Sequence, residues 1–382
     1  MEIYKKFSNL FDVNIIKQLS NKDILICSSN QIKIYSINNF EKIYNFKEIE
    51  SSIISIKSIT EINSTKKNEI IIAFNLSDHT IQIIKLTKRN QNNNNSKKKT
   101  NSAYRHKLHQ TLGFKLNKKM ETCICINSIL NYLIITINNK VLYYINKGEE
   151  KLNYVKEKEY IINQNPKGKQ LNIEIIRGIT CVQYDGSYFV ILIIEILYKS
   201  FDLKIYFLKN FELITHFNDI YLISHKGLIS FMTCFNDDKK LYLVLGDNND
   251  RIMIVKLYDD FDIYENICLS RIIKELSFNK NNNSNNYEIK SVCGLNDGTF
   301  VICLYYLEPV NEKNYIIRGR INNKTKKFEL LYINDNVHNN KTNFITSSTL
   351  IRNNKKPEEE YYVSGDHEGM IKLWKMKKIY HN

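Results

Sequence analysis

Tyr361-Tyr362-Val363-Ser364-Gly365-Asp366-His367-Glu368-Gly369-Met370-Ile371-Lys372-Leu373-Trp374 is the stretch whose reading decides the fold. An apolar run ends in Ser364-Gly365, a short polar segment follows, and Gly369 supplies a residue that tolerates the positive φ of a tight turn. Beyond the turn, Ile371 and Leu373 alternate with Lys372, the period of a strand with one face buried. Trp374 then brings a large apolar surface with one N–H to satisfy. Two strands joined by a hairpin and ending on a buried indole are expected.

The same register recurs upstream. Asp78–Ile84 repeats the turn and following strand with Ile84 at the tryptophan place, Ser29–Tyr35 does so with Tyr35 there, and Asn138–Tyr144 follows the same register. Another copy runs from His225 through Ile229 to a strand ending at Gly246, then a turn at Asp250 leading into Ile252–Val255. Asp185-Gly186 and Asp297-Gly298 mark further hairpins between apolar runs. Many short strands at fairly even intervals, with no stretch of sustained helical spacing, indicate an all-β protein made of repeats.

The final stretch resembles the second half of a WD repeat, in which tryptophan is joined by hydrogen bonds to a turn aspartate, a strand serine or threonine and an upstream histidine. On that resemblance Ser364 and Trp374 match, His338 lies upstream, Glu368 replaces the turn aspartate, and Lys375 replaces the aspartate that follows tryptophan. Asp78, His225 and Asp250 fall at the corresponding structural positions of weaker copies. The resemblance implies one seven-bladed WD40-like β-propeller spanning residues 1–382. Its blades fall near 9–50, 51–117, 118–165, 166–220, 221–275, 276–335 and 336–382. The last unit stops after its third strand, so residues Glu2–Asn9 are expected to supply the fourth and close the ring, removing exposed sheet edges.

Of the net charge of +15, eleven units lie between His79 and Met120, where there is no Asp or Glu. Residues 87–110 are expected to form a basic, Asn/Lys-rich loop inserted in the second blade and disordered. Lys88, Arg89, Lys97, Lys98, Lys99, Arg105 and Lys107 are its candidate phosphate contacts, acting by counterion release. Tyr104 is its one aromatic residue for stacking. The same composition also suits a solvated, codon-biased insertion.

Eight cysteines include no CxxC pair, and most sit in apolar runs as small core residues. The sequence has no P-loop, GxGxxG, GxSxG or HExxH motif. His367-Glu368-Gly369 lies in a hairpin, without the second helical histidine of a zinc site. His106 and His109 are read as solvated loop histidines. No catalytic residue, metal or cofactor is expected. No apolar run approaches the roughly 18 residues of a membrane helix, and Met1–Lys6 has no signal-peptide core, so a cytoplasmic or nuclear protein is expected.

The resemblance implies a non-catalytic scaffold or adaptor whose partners are other proteins of a larger complex. Two alternatives stay open. One is an accessory subunit that holds RNA or DNA through the basic insertion. The other is a membrane-surface propeller that binds phosphoinositides, for which the sequence offers only Ile176-Arg177-Gly178 and Ile317-Arg318-Gly319 in place of paired arginines.

Overall fold

Short apolar runs separated by Asn, Asp, Gly and Lys become strands. In the computed structural model every regular element among the described residues is a β-strand. The described residues are 2–8, 12–28, 31–37, 40–46, 55–64, 66, 68–88, 103–114, 124–148, 152–162, 174–196, 200–217, 229–237, 240–247, 251–257, 263–268, 287–294, 299–306, 313–322, 325, 327–334, 337, 345–353 and 356–376.

The chain begins with β1 (Glu2–Ser8). The first sheet then comprises β2 (Ile15–Gln18), β3 (Ile24–Cys27), β4 (Ile32–Tyr35) and β5 (Lys42–Phe46), and the second β6 (Ile56–Ile62), β7 (Glu69–Leu76), β8 (Thr80–Lys88) and β9 (Tyr104–Gly113). The third holds β10 (Ile124–Ile129), β11 (Tyr132–Ile137), β12 (Lys140–Asn146) and β13 (Tyr154–Ile161). The fourth holds β14 (Glu174–Tyr184), β15 (Ser187–Ile196), β16 (Ser200–Phe207) and β17 (Leu213–Phe217). The fifth holds β18 (Ile229–Asp237), β19 (Lys240–Asp247), β20 (Arg251–Lys256) and β21 (Ile263–Cys268). The sixth holds β22 (Tyr287–Gly294), β23 (Thr299–Tyr306), β24 (Lys313–Ile321) and β25 (Phe328–Asn334). The last holds β26 (Ile345–Asn353), β27 (Lys356–Asp366) and β28 (Met370–Lys375), completed by β1 in the order β1-β28-β27-β26. These are the seven four-stranded antiparallel blades of a β-propeller, each within its expected interval, and the first strand of the chain completes the last blade.

Second strands explain why alternation was a poor guide to the interior. β15 and β7 are buried along nearly their whole length, because a central strand covered on both faces needs apolar residues at every position rather than every other one.

A repeated irregularity defines the blade register. In all seven sheets the fourth strand carries one extra residue opposite the same point of the third. These extra residues are Ile43, His109, Glu157, Ile214, Tyr264 and Leu331, and in the last sheet Tyr4. The bulge falls opposite Leu373/Trp374 in the last sheet and opposite Ile34/Tyr35, Ile83/Ile84, Tyr143/Tyr144, Ile205/Tyr206, Ile254/Val255 and Arg318/Gly319 in the others. β1 therefore has the geometry of a true fourth strand, although it comes from the opposite end of the sequence. A bulge bends and twists the strand that carries it, which suits the outermost strand of a twisted blade.

Two compact units are present, Met1–Gln18 with Tyr221–Asn382, and Leu19–Ile220. In the first unit, β18, β22, β26 and β2 lie side by side in succession, and Val301, Cys303, Ile316, Tyr362 and Trp374 share a core. In the second, β6, β10 and β14 lie side by side, with one core around Ile83, Ile126 and Leu133 and another around Val141, Tyr143, Val190 and Tyr206.

Of the expected loop 87–110, residues 89–102 lie outside the described residues, and both ends of it are strand. β8 continues to Lys88, Lys88 faces Tyr104 across the pair, and residues 104–113 form β9. Tyr104 explains the change, because it is buried and its hydroxyl donates to Asp23 at 2.5 Å. The backbone N–H of Ala103 also donates to Ile43 O at 2.9 Å. His106 and His109 are accordingly partly buried strand residues, His106 packing edge-on against Tyr44.

Candidate interaction surfaces

The motif that decided the fold builds a closed structural network. The Trp374 indole N–H donates to Ser364 Oγ at 2.9 Å, with both side chains buried. The turn carboxylate is Asp366 rather than Glu368. Asp366 is buried and accepts from the backbone N–H groups of Glu368 at 3.1 Å and Met370 at 2.7 Å, whereas Glu368 lies exposed. The reason is steric and local. The loop 367–369 places Gly369 at φ 85°, which turns those amides back onto residue 366.

Gly365 has a separate role. A Cβ there would lie 2.6 Å from Val13 Cγ1, and the N–H of Val13 donates to Asp366 O at 3.0 Å. Ser364, Gly365 and Asp366 thus serve the indole, the segment that leads into β2 and the turn in succession.

Asp78 occupies the equivalent turn of the second sheet. It is exposed and accepts from Thr80 N at 3.0 Å and Thr80 Oγ1 at 2.7 Å. His79 stands where the last blade has Gly369, at φ 64°. An L-residue in the left-handed region is strained, so His79→Gly is expected to be neutral to stabilising, and Gly369→Ala to cost about 1 kcal/mol. Urea denaturation of the two variants checks the pair. A shift of the opposite sign in both would remove the equivalence of the turns. His225, Asp250 and His338 lie outside the described residues.

The bulge register shows what replaces tryptophan elsewhere. Tyr35, Ile84, Tyr206 and Val255 are buried at its place and Tyr144 is partly buried. Gly319 leaves the place to Phe328, whose ring would lie 2.1 Å from a Cβ. The residues equivalent to Ser364 are Ile26, Phe74, Ile135, Leu192, Leu245 and Ile302, which pair with the third strand as Ser364 pairs with Lys372. Six blades have exchanged the polar network for apolar packing.

A second repeat was missed in the sequence. Ser36 N donates to Glu41 O and Phe40 N to Ser36 O in the first sheet, and Phe207 N to Glu212 O and Phe211 N to Phe207 O in the fourth. Phe40 and Phe211 both take φ 55°. The matching text is Asn39-Phe40-Glu41 and Asn210-Phe211-Glu212. In the fourth sheet the Phe211 ring stacks between Tyr160 and Tyr206, at 4.3 and 4.2 Å, contact that offsets the backbone strain.

Of the candidate phosphate contacts, Lys88 is half exposed, 3.8 Å from Asp23 and over the Tyr104 ring. Arg105 and Lys107 are exposed on β9. Arg89, Lys97, Lys98 and Lys99 lie outside the described residues. Tyr104 is buried and offers no stacking surface. The arginines of the two Ile-Arg-Gly copies are held by side chains of their own sheets, the partly buried Arg177 by Glu195 at 2.5 Å and the buried Arg318 by Thr299 at 3.0 Å.

Other polar side chains tie strands and sheets together. Gln110 clasps the Tyr154 backbone, donating to its O at 2.9 Å and accepting from its N at 2.7 Å. His216 Nε2 lies 2.7 Å from the buried Asp202, and Glu61 accepts from Ser20 N at 2.8 Å.

Burial raises the phenols of Tyr104, Tyr143, Tyr154 and Tyr206 above the ordinary value, Tyr154 to about 12. In the unfolded chain they ionise near pH 10. Because the folded state holds its protons more tightly, their contribution is complete below pH 10 and falls as pH rises from there through the folded values. Cooperative unfolding above pH 10 is expected, with phenolate absorbance and loss of circular dichroism rising together. Full phenol titration near pH 10 with the fold intact would contradict the burial.

No protein-family model and no curated protein sequence matches the chain. Among solved structures it is similar to Raptor of Chaetomium thermophilum, with TM-score 0.59 and 9% identity over 98% of this chain. The similarity spans 29% of the Raptor chain. It is also similar to the β-propeller domain of Cps50 (Swd1) from Myceliophteria thermophila, with TM-score 0.57 and 9% identity, covering 98% of this chain and 99% of that one. Together with the seven four-stranded sheets and their shared blade register, these likenesses make the fold that of a seven-bladed β-propeller.

Proposed function

We propose that the protein is a non-catalytic scaffold that binds other proteins of a multiprotein assembly. The observation that carries this reading is where its polar chemistry goes. Among the described residues, the buried or partly buried carboxylates of Asp23, Glu61, Asp202, Glu195 and Asp366 each hold a turn, a strand or a neighbouring sheet. The fold supports the same reading, because rigid blades carry loops that vary without disturbing the strands. The likeness to Raptor and to the Cps50 (Swd1) propeller agrees with it.

The test is affinity purification of the intact chain from its native cells, with quantitative mass spectrometry and size-exclusion chromatography. Stoichiometric co-purification of the same proteins at moderate salt is expected. Elution of the chain alone at its own mass would contradict the reading.

A further inference from the structure

Strand β9 is the terminal strand of its sheet, and Arg105, Lys107, Leu108 and Thr111 on it are exposed. Strand alternation puts Arg105 and Lys107 on one face, about 6.4–6.8 Å apart along the strand. There Arg105 is set against Thr87, and Lys107 directly against Lys85. Like charges directly opposite weaken a sheet. Among the described residues, the one carboxylate in ion-pair contact with this face is Glu69, 3.2 Å from Lys85 Nζ.

His109, the extra residue of the β9 bulge, adds to the excess. Its Nε2 is buried with no partner among the described residues, and burial, then Lys85 and Lys107, hold its imidazole below the ordinary value while Glu69 opposes them. The terminal strand of the next sheet is built differently. On β13 Glu159 lies 2.8 Å from Lys156 and 2.9 Å from Lys140, so cations and carboxylates answer each other within the sheet.

We propose that the face of the β8–β9 hairpin formed by Lys85, Arg105, Lys107 and His109 is a docking surface for an extended acidic segment of a partner protein. This rests on the scaffold reading and names the partner's chemistry. Carboxylates two residues apart on an extended chain repeat at the spacing of Arg105 and Lys107. A single-stranded nucleic acid would draw on base stacking as well as charge, and Tyr104 is buried.

The test uses the full chain, a fluorescent decapeptide of alternating glutamate and valine, and a 20-base-pair duplex DNA as second probe, read by fluorescence anisotropy. The peptide is expected to bind, more weakly as salt rises. Arg105→Glu/Lys107→Glu is expected to weaken it about tenfold or more, and Lys156→Glu/Lys158→Glu on β13 less than about twofold. Both changes are at exposed positions, so unchanged circular dichroism and melting show that folding is intact. Peptide affinity unchanged by the Arg105/Lys107 pair would overturn the proposal, as would duplex DNA binding more tightly than the peptide through the same side chains. If that happens while the wild-type chain still co-purifies with its proteins, the docking surface fails and the scaffold reading stands.

Discussion

Trp374→Ala is expected to lower folding stability by about 3–5 kcal/mol, the cost of removing a large, fully buried aromatic side chain. Trp374 is 1% exposed and packs with Val301, Cys303, Ile316 and Tyr362, so its loss opens the core shared by the last two sheets. It also leaves Ser364 Oγ, itself buried, without the indole N–H that it accepts. Ser364→Ala isolates the polar part and is expected to cost about 1–3 kcal/mol, because a buried N–H then loses its acceptor. Urea denaturation with an unchanged slope reads both. A Trp374→Ala midpoint equal to that of the wild type would mean that the indole is not in the core.

Gly365→Ala is the second large effect, expected to cost about 1–3 kcal/mol by overpacking. The added methyl would lie 2.6 Å from Val13 Cγ1 and 2.8 Å from Val13 Cβ, atoms close to the backbone that leave little room to yield. The companion change Val13→Ala destabilises by itself, yet in the double variant it should recover part of the loss, because it removes the atom that the new methyl meets. Strictly additive losses in the double-mutant cycle would show that Val13 does not pack on Gly365.

The fold was legible because Ser364, Gly369 and Trp374 still write the second half of one blade, and because weaker copies such as Asp78–Ile84 keep its spacing. The other blades were readable only by register, since Phe74, Ile135 or Leu192 stands where the last blade has Ser364. Apolar packing tolerates many side chains, so it leaves no fixed letters to find. That accounts physically for a structural likeness at 9% identity without a sequence match.

The proposed surface was half legible. The acid-free run from His79 to Met120 contains the β9 residues of the proposed surface. Its Asn- and Lys-rich composition hid a strand, because Tyr104, His106 and Gln110 owe their places to Asp23, Tyr44 and Tyr154, which are distant in sequence. Asp366 was passed over for Glu368 because sequence position alone does not show which carboxylate the turn amides face.

The account depends most on β1 being the fourth strand of the last blade. Pairing sets Lys6 directly opposite Lys372. Burial, and after it Lys6, holds the Lys372 ammonium below its ordinary value against the pull of Asp366. Antiparallel partners approach closely enough for a disulfide. The direct measurement is mild oxidation of a Lys6→Cys/Lys372→Cys variant followed by peptide mapping. A disulfide joining positions 6 and 372 in the folded monomer is the predicted result. A folded monomer in which the thiol at position 6 stays free, or bonds to another cysteine, would contradict the closure of the last blade by the first strand.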